Sequence, residues 1–163
     1  MWGRFRQVGY YLQPRLVPAE LAWALGYLNE PQQALFKAMA SVDRAHAVRV
    51  ARRLEAQGAP AFVLEAALLH DCGKPKGYGL AGRVLGVLCS RWAKEVPQSP
   101  VLKGLERSLQ IYRWHDQWGL EAAKAAGTSA DALVLLQAYL AADGQTTEAP
   151  AWLEPLKRAD DRG

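Results

Sequence analysis

Apolar residues recur along the chain at intervals of three and four, broken by Pro, Gly, Asn and Ser, and no stretch alternates with the two-residue period of a half-buried strand. The pattern predicts an all-α fold, a single-domain compact helical bundle with no significant β-structure. Pro18 opens a helix to about residue 28. Pro31 sits at a favoured first-turn position of a second, and Ser41 lies where a third starts or the second continues. Over residues 43–57, Ala47, Val50, Ala51 and Leu54 fall on one helical face, while Arg49, Arg52, Arg53 and Glu55 point elsewhere as a solvated face. His46 flanks the apolar stripe.

Gly58 ends that helix and Pro60 starts the next, in which Phe62, Val63, Leu64, Ala66, Ala67, Leu68 and Leu69 are apolar nearly all round. Such a helix belongs at the centre of a core. It runs into His70-Asp71, then Cys72-Gly73-Lys74, with Gly73 at a natural C-terminal capping position. Further helices are expected at residues 80–94, 101–112, 117–126 and 129–142, with a short one over 150–158 and fraying across 158–163.

Composition narrows the class. The 163 residues are 50% hydrophobic and 22% charged, which suits one domain with a sizeable core. Every apolar run stops well short of the roughly 20 residues of a membrane span. The basic N-terminus is followed by no apolar stretch before Gln13-Pro14-Arg15, so the expected location is cytoplasmic. Cys72 and Cys89 are the only cysteines and form no CxxC pair, so neither a disulfide framework nor a thiolate zinc site is indicated. The net charge of +4 favours phosphate-bearing ligands through its long-range field.

Two nearly wholly apolar helices are predicted to terminate in a carboxylate, at Asp71 and at Asp143. A carboxylate at a helix C-terminus meets carbonyls that already carry partial negative charge, so a compensating cation is expected there. A divalent metal would serve, and the adjacent His70 offers an imidazole nitrogen of the kind transition metals accept.

The pattern His46, His70-Asp71 and Asp143, with Asp43-Arg44-Ala45-His46 and Ala67-Leu68-Leu69-His70-Asp71-Cys72-Gly73-Lys74, resembles the HD-domain metal-dependent phosphohydrolase superfamily over roughly residues 36–143. The specific part is HDxGK behind an apolar helix with a histidine 24 residues upstream. The resemblance implies that His46, His70, Asp71 and Asp143 hold one divalent ion, of Mn, Fe, Co, Ni, Zn or Mg. It divides the chain into a helical extension (1–35), a metal-binding domain (36–145) and a short C-terminal helix with a frayed tail (146–163).

Two imidazoles and two carboxylates leave positions for water on a six-coordinate ion, and an ion so held activates water and polarises a phosphoryl oxygen. On this reading Asp71 orients the attacking water. Lys74, Arg44 and Arg113, with Lys76, hold an anionic phosphate, and Lys74 has the alternative of neutralising the carboxylates. The expected substrate is a phosphate ester of a nucleotide or related small molecule.

The stretch Tyr112-Arg113-Trp114-His115-Asp116 resembles the part of such proteins that serves a second metal, but Tyr139 and Leu140 stand where those relatives often carry a further histidine. His115 is therefore an extra ligand or a substrate-facing acid, and Asp116 is expected to cap a helix starting at Gln117. Trp114 and Trp118 are expected to pack the core, and Asp116 or Asp131 is a substitute for Asp143 if the helical register differs. Two rival functions follow from the same residues: an inactive HD-like module that binds a nucleotide as a signal, and a helical nucleic-acid binder using Arg4, Arg6, Arg15 and the 49–53 face.

Overall fold

The computed structural model describes residues 16–74, 95–141 and 150–162, together with Tyr78, Gly82, Val84, Leu88 and Cys89. Among the described residues there are seven helices and no strand, the all-α fold expected: α1 (Pro18–Leu25), α2 (Glu30–Ala38), α3 (Ser41–Glu55), α4 (Ala61–Leu69), α5 (Gly104–Ala125), α6 (Ala130–Leu140) and α7 (Leu153–Asp161). None of them is long and apolar enough to cross a membrane. Asp143, Lys76 and most of the helix expected over 80–94 lie outside the described residues.

The helix that is apolar all round, α4, is the central one. It packs against α2, α3 and α6, and its Val63, Leu64, Ala66, Ala67, Leu68 and Leu69 are all buried. The predicted α3 stripe of Ala47, Val50, Ala51 and Leu54 is buried against it. Residue 41 begins a separate helix, and the break at Met39–Ala40 is held by Arg44, whose Nη1 donates to Lys37 O at 3.0 Å and Met39 O at 2.7 Å. Arg44, expected at a substrate phosphate, thus serves the carbonyls that the end of α2 leaves without helical partners. The N-terminal segment docks on α3 through Trp23 Nε1 and Tyr27 OH, which both donate to Glu55 Oε1 at 3.1 Å.

One polar side chain interrupts α4. Glu65 Oε1 accepts from Gln32 Nε2 at 2.5 Å and from Ser129 N at 3.0 Å, while Oε2 accepts from Ser129 Oγ at 2.5 Å. A single carboxylate thereby pins α2 and the start of α6 to the helix that carries His70. Replacing Glu65 with Ala leaves Gln32 Nε2 and the Ser129 groups without this acceptor, and urea unfolding should show a loss of about 1–3 kcal/mol.

Two boundaries differ from expectation. The segments 101–112 and 117–126 form one 22-residue helix, so Asp116 sits inside α5 and caps nothing. The expected frayed end from residue 158 is helical to Asp161, with Leu153, Leu156 and Ala159 buried against α3 and α6. Arg53 Nη1 donates to Ala159 O at 3.2 Å, so part of the expected solvated arginine face holds the last turn of α7.

Candidate metal centre

Three elements converge where α4 ends. His46 comes from the first half of α3, His70 caps the C-terminus of α4, and Asp160 lies in the last turn of α7. One ligand-type atom from each lies within 4.8 Å of the other two. The His46 and His70 ring centroids are 5.4 Å apart. His46 Nε2–H donates to Asp160 Oδ1 at 2.7 Å, and the other carboxylate oxygen, Oδ2, accepts from Tyr139 OH at 2.6 Å.

His70 is 5% exposed and its orientation is fixed from behind, since Nδ1–H donates to Ala67 O at 2.8 Å. That leaves Nε2 facing the cluster, buried and with no hydrogen-bond partner. Asp160 Oδ1 at 3.6 Å and Asp71 Oδ2 at 3.7 Å both lie beyond hydrogen-bond reach. Two ligand atoms bound at about 2.1 Å to one ion stand about 3.0–4.2 Å apart. The spacings around His70 Nε2 therefore fit atoms that share a cation. A group of His46, His70 and Asp160 could hold a metal ion; Asp71, expected as a ligand, has Oδ2 beside His70 Nε2 but stands outside that three-residue group. Donation of the outer ring nitrogen to a backbone carbonyl is also how metal-bound histidines are usually oriented.

The electrostatics agree. Burial opposes a charge on His70, but the carboxylates of Asp71 and Asp160 outweigh it and push the imidazole up to about 9. Burial would raise Asp71, yet Lys74 Nζ at 2.5 Å and His70 hold its carboxyl well below the usual range. Asp160 is held down in the same way by His46 and His70 against its own burial. Burial first, then the Asp71 charge, pushes the Cys72 thiol up to about 12, so it is neither a thiolate nucleophile nor a ready ligand at neutral pH. Burial and the Asp160 charge also raise the Tyr139 phenol, which stays a donor.

The His70 shift has opposite consequences for stability and for loading. Its pKa rises from 6.5 to about 9 on folding, so the unloaded fold binds more protons than the unfolded chain between these values. The stabilisation from this group is complete below pH 6.5 and is lost as pH climbs through about 9. A metal must displace that proton, so cation affinity rises over the same window. Unfolding curves and Mn²⁺ titrations at pH 6.5, 7.5, 8.5 and 9.5 should run in opposite directions; parallel trends would contradict the assignment.

The His-Asp turn is set against α5 by backbone contact. A Cβ at Gly73 would overlap the His115 carbonyl oxygen and come within 2.5 Å of Gly119 N and 2.8 Å of Gly119 Cα. Gly73 has no positive φ, so its glycine is required by this close approach and not by the left-handed cap that the sequence suggests. Cys72 Sγ donates to Gly119 O at 3.4 Å in the same seam.

Of the other expected site residues, Lys74 is paired to Asp71, with 17% of its side chain exposed. His115 does not belong to the three-residue group. Its Nδ1–H donates to Ile111 O at 2.8 Å and its Nε2 lies 3.1 Å from Asp116 Oδ1, so these side-chain partners are within its own helix. Arg113 is exposed, stacks 5.0 Å from the Trp114 ring and lines an open cleft of about 450 Å³ with Gln117, Leu120, Gln137 and Leu140. Trp114 and Trp118 are half-buried, and Trp114 Nε1 donates to Val96 O at 2.9 Å.

Asp160 is the residue that sequence reasoning missed. Like Asp71 it is a carboxylate at the end of a helix, but of a mostly polar one, in which only the spacing of Leu153, Leu156 and Ala159 marks a buried stripe. Comparison with known proteins adds nothing to this geometry: no family model, no curated protein and no solved structure matches the chain.

Proposed function

We propose that the protein is a metal-dependent phosphohydrolase of the HD type, acting on a phosphate ester of a nucleotide or related small molecule. The observation that carries the reading is the buried, unpartnered His70 Nε2 set among His46, Asp160 and Asp71. The HDxGK sequence around it supplies the choice of phosphate chemistry. On this reading Asp160 is a ligand, while Asp143, the distant aspartate that the resemblance implies, lies outside the described residues.

A divalent ion in this ligand set would supply an activated water and polarise a phosphoryl oxygen. The chain's own residues do the rest. His70 is locked by Ala67 O so that its Nε2 faces inward. Asp71 is divided between two tasks, with Oδ1 on Lys74 and Oδ2 turned toward His70, and Lys74 keeps it ionised. An ionised Asp71 can accept a hydrogen bond from a water and so orient it for attack. Lys74, whose ammonium is already at the edge of the cluster, can pair with an arriving phosphate. Arg113 and His115 lie on α5, whose backbone abuts Gly73, and belong to the substrate side of this reading rather than to the ligand set.

The test is a panel of nucleoside mono-, di- and triphosphates and p-nitrophenyl phosphate esters with Mn²⁺, Fe²⁺, Co²⁺ or Mg²⁺. Turnover that disappears in His70→Ala supports the proposal. Bound metal and bound nucleotide without turnover would identify a regulatory module. Absence of metal, with steeply salt-dependent binding to nucleic acid, would identify the arginine-rich binder.

A further inference from the structure

We infer that Tyr139 is a positioning residue for the cation site, holding Asp160 as a ligand that presents one oxygen. The inference rests on the metal reading above and extends it to a residue outside the ligand set. Asp160 has two oxygens with divided partners: Oδ2 accepts from Tyr139 OH at 2.6 Å, while Oδ1 faces His46 Nε2 at 2.7 Å and His70 Nε2 at 3.6 Å. A short hydrogen bond from Tyr139 draws electron density from Oδ2 and fixes its direction, which favours Oδ1 as the oxygen presented to a cation. A phenol is such a donor at neutral pH.

Tyr139 is itself held. It projects from α6, which packs against α4 and α7, and its ring meets His70 edge-on with centroids 5.8 Å apart and planes at 82°. One side chain thus touches two of the three residues that converge, and it does so from a helix that contributes no ligand. Its place is fixed by the packing of α6, so the angle of the Asp160 carboxylate is fixed with it. Hydrogen-bond partners of this kind typically change metal affinity by about 10- to 100-fold when removed.

The experiment compares wild type with Tyr139→Phe, a change that keeps the ring and removes only the hydroxyl. Co²⁺ is titrated calorimetrically and followed by its visible absorption, and thermal unfolding of the unloaded proteins is recorded alongside. The expected result is Co²⁺ binding weakened about 10- to 100-fold in Tyr139→Phe, with an altered visible band as Oδ2 becomes free to coordinate. A merely structural Tyr139 would lower the unfolding midpoint and leave both the affinity and the spectrum of the folded protein at wild-type values, which would overturn the inference. Wild-type protein that takes up no Co²⁺ would overturn the metal reading itself.

Discussion

Asp160→Asn should weaken binding of Mn²⁺ or Co²⁺ by more than about 100-fold, a larger loss than removal of an outer hydrogen-bond partner produces. The substitution keeps the shape of the side chain and its capacity to accept from Tyr139 OH, so the fold is expected to survive. Among the described residues, it removes the one carboxylate that faces both imidazoles, at 2.7 and 3.6 Å. A neutral amide oxygen is a much poorer partner for a divalent cation. The same change withdraws part of the attraction that keeps His70 protonated, so the His70 pKa in the unloaded protein should fall from about 9 toward its ordinary value. Asp161→Asn is the matched control. Asp161 is the next residue on α7, exposed to solvent, and its replacement should leave affinity unchanged. Asp143→Asn, made alongside, decides between the aspartate that the geometry brings in and the one that the resemblance implies. Calorimetric titration of the three variants at pH 7.5 is the check; full affinity in Asp160→Asn would contradict the ligand set.

The second large effect is on folding. Gly73→Ala places a methyl group against the His115 carbonyl oxygen and within 2.5 Å of Gly119 N. The three nearest atoms it meets are all backbone, so none of them can rotate away as a side chain would. Either the turn that carries His70 and Asp71 lifts off α5 or α5 bends. Overpacking in a close-packed interior costs about 1–3 kcal/mol and occasionally more, and an immovable neighbour puts this case at about 3 kcal/mol or above. Gly119→Ala approaches the same seam from the other side with more room, 3.0 Å from Gly73 N and 3.3 Å from Gly73 Cα, and should cost less. Urea unfolding of the two variants should preserve that order. Gly73→Ala should also weaken metal binding, because Asp71 and Lys74 move with the turn. Equal stability of Gly73→Ala and wild type would mean that the turn does not sit on α5 as described.

Much of the fold is written in the spacing of apolar residues. The stripe of α3 and the all-round apolarity of α4 predict a buried α3–α4 pair, and the structure has it. His46, His70 and Asp71 are legible for the same reason, because each is placed by a helix whose period and end are readable. What was not legible depends on contacts between distant parts of the chain. Gly73 and Gly119 are 46 positions apart, and nothing in local spacing says that their backbones touch. Asp116 reads as a cap for a helix starting at Gln117, whereas α5 continues through it and Gly119 serves the seam. Arg44 and Arg53 looked available to a ligand or to solvent, but each satisfies carbonyls at the end of another helix.

Asp160 was hidden by composition. The segment Lys157-Arg158-Ala159-Asp160-Asp161-Arg162 is polar at five of its six positions and reads as a chain end. Its single apolar residue, Ala159, is buried, and that is enough with Leu153 and Leu156 to seat the helix and carry the neighbouring carboxylate to His46. A three-residue period with a small residue in its last place is a weak local signal. It becomes informative only when joined to the need for a second carboxylate near His70.

The central claim is that His46, His70 and Asp160 hold a divalent cation. Elemental mass spectrometry of protein purified without added metal, wild type against His70→Ala, tests it most directly. Near-stoichiometric Mn, Fe, Co, Ni or Zn is expected in the wild type, restored by incubation with Mn²⁺ or Fe²⁺ if lost in purification, and none in the variant. Wild-type protein that stays metal-free in excess Mn²⁺ and Fe²⁺, or equal metal in both proteins, would contradict it.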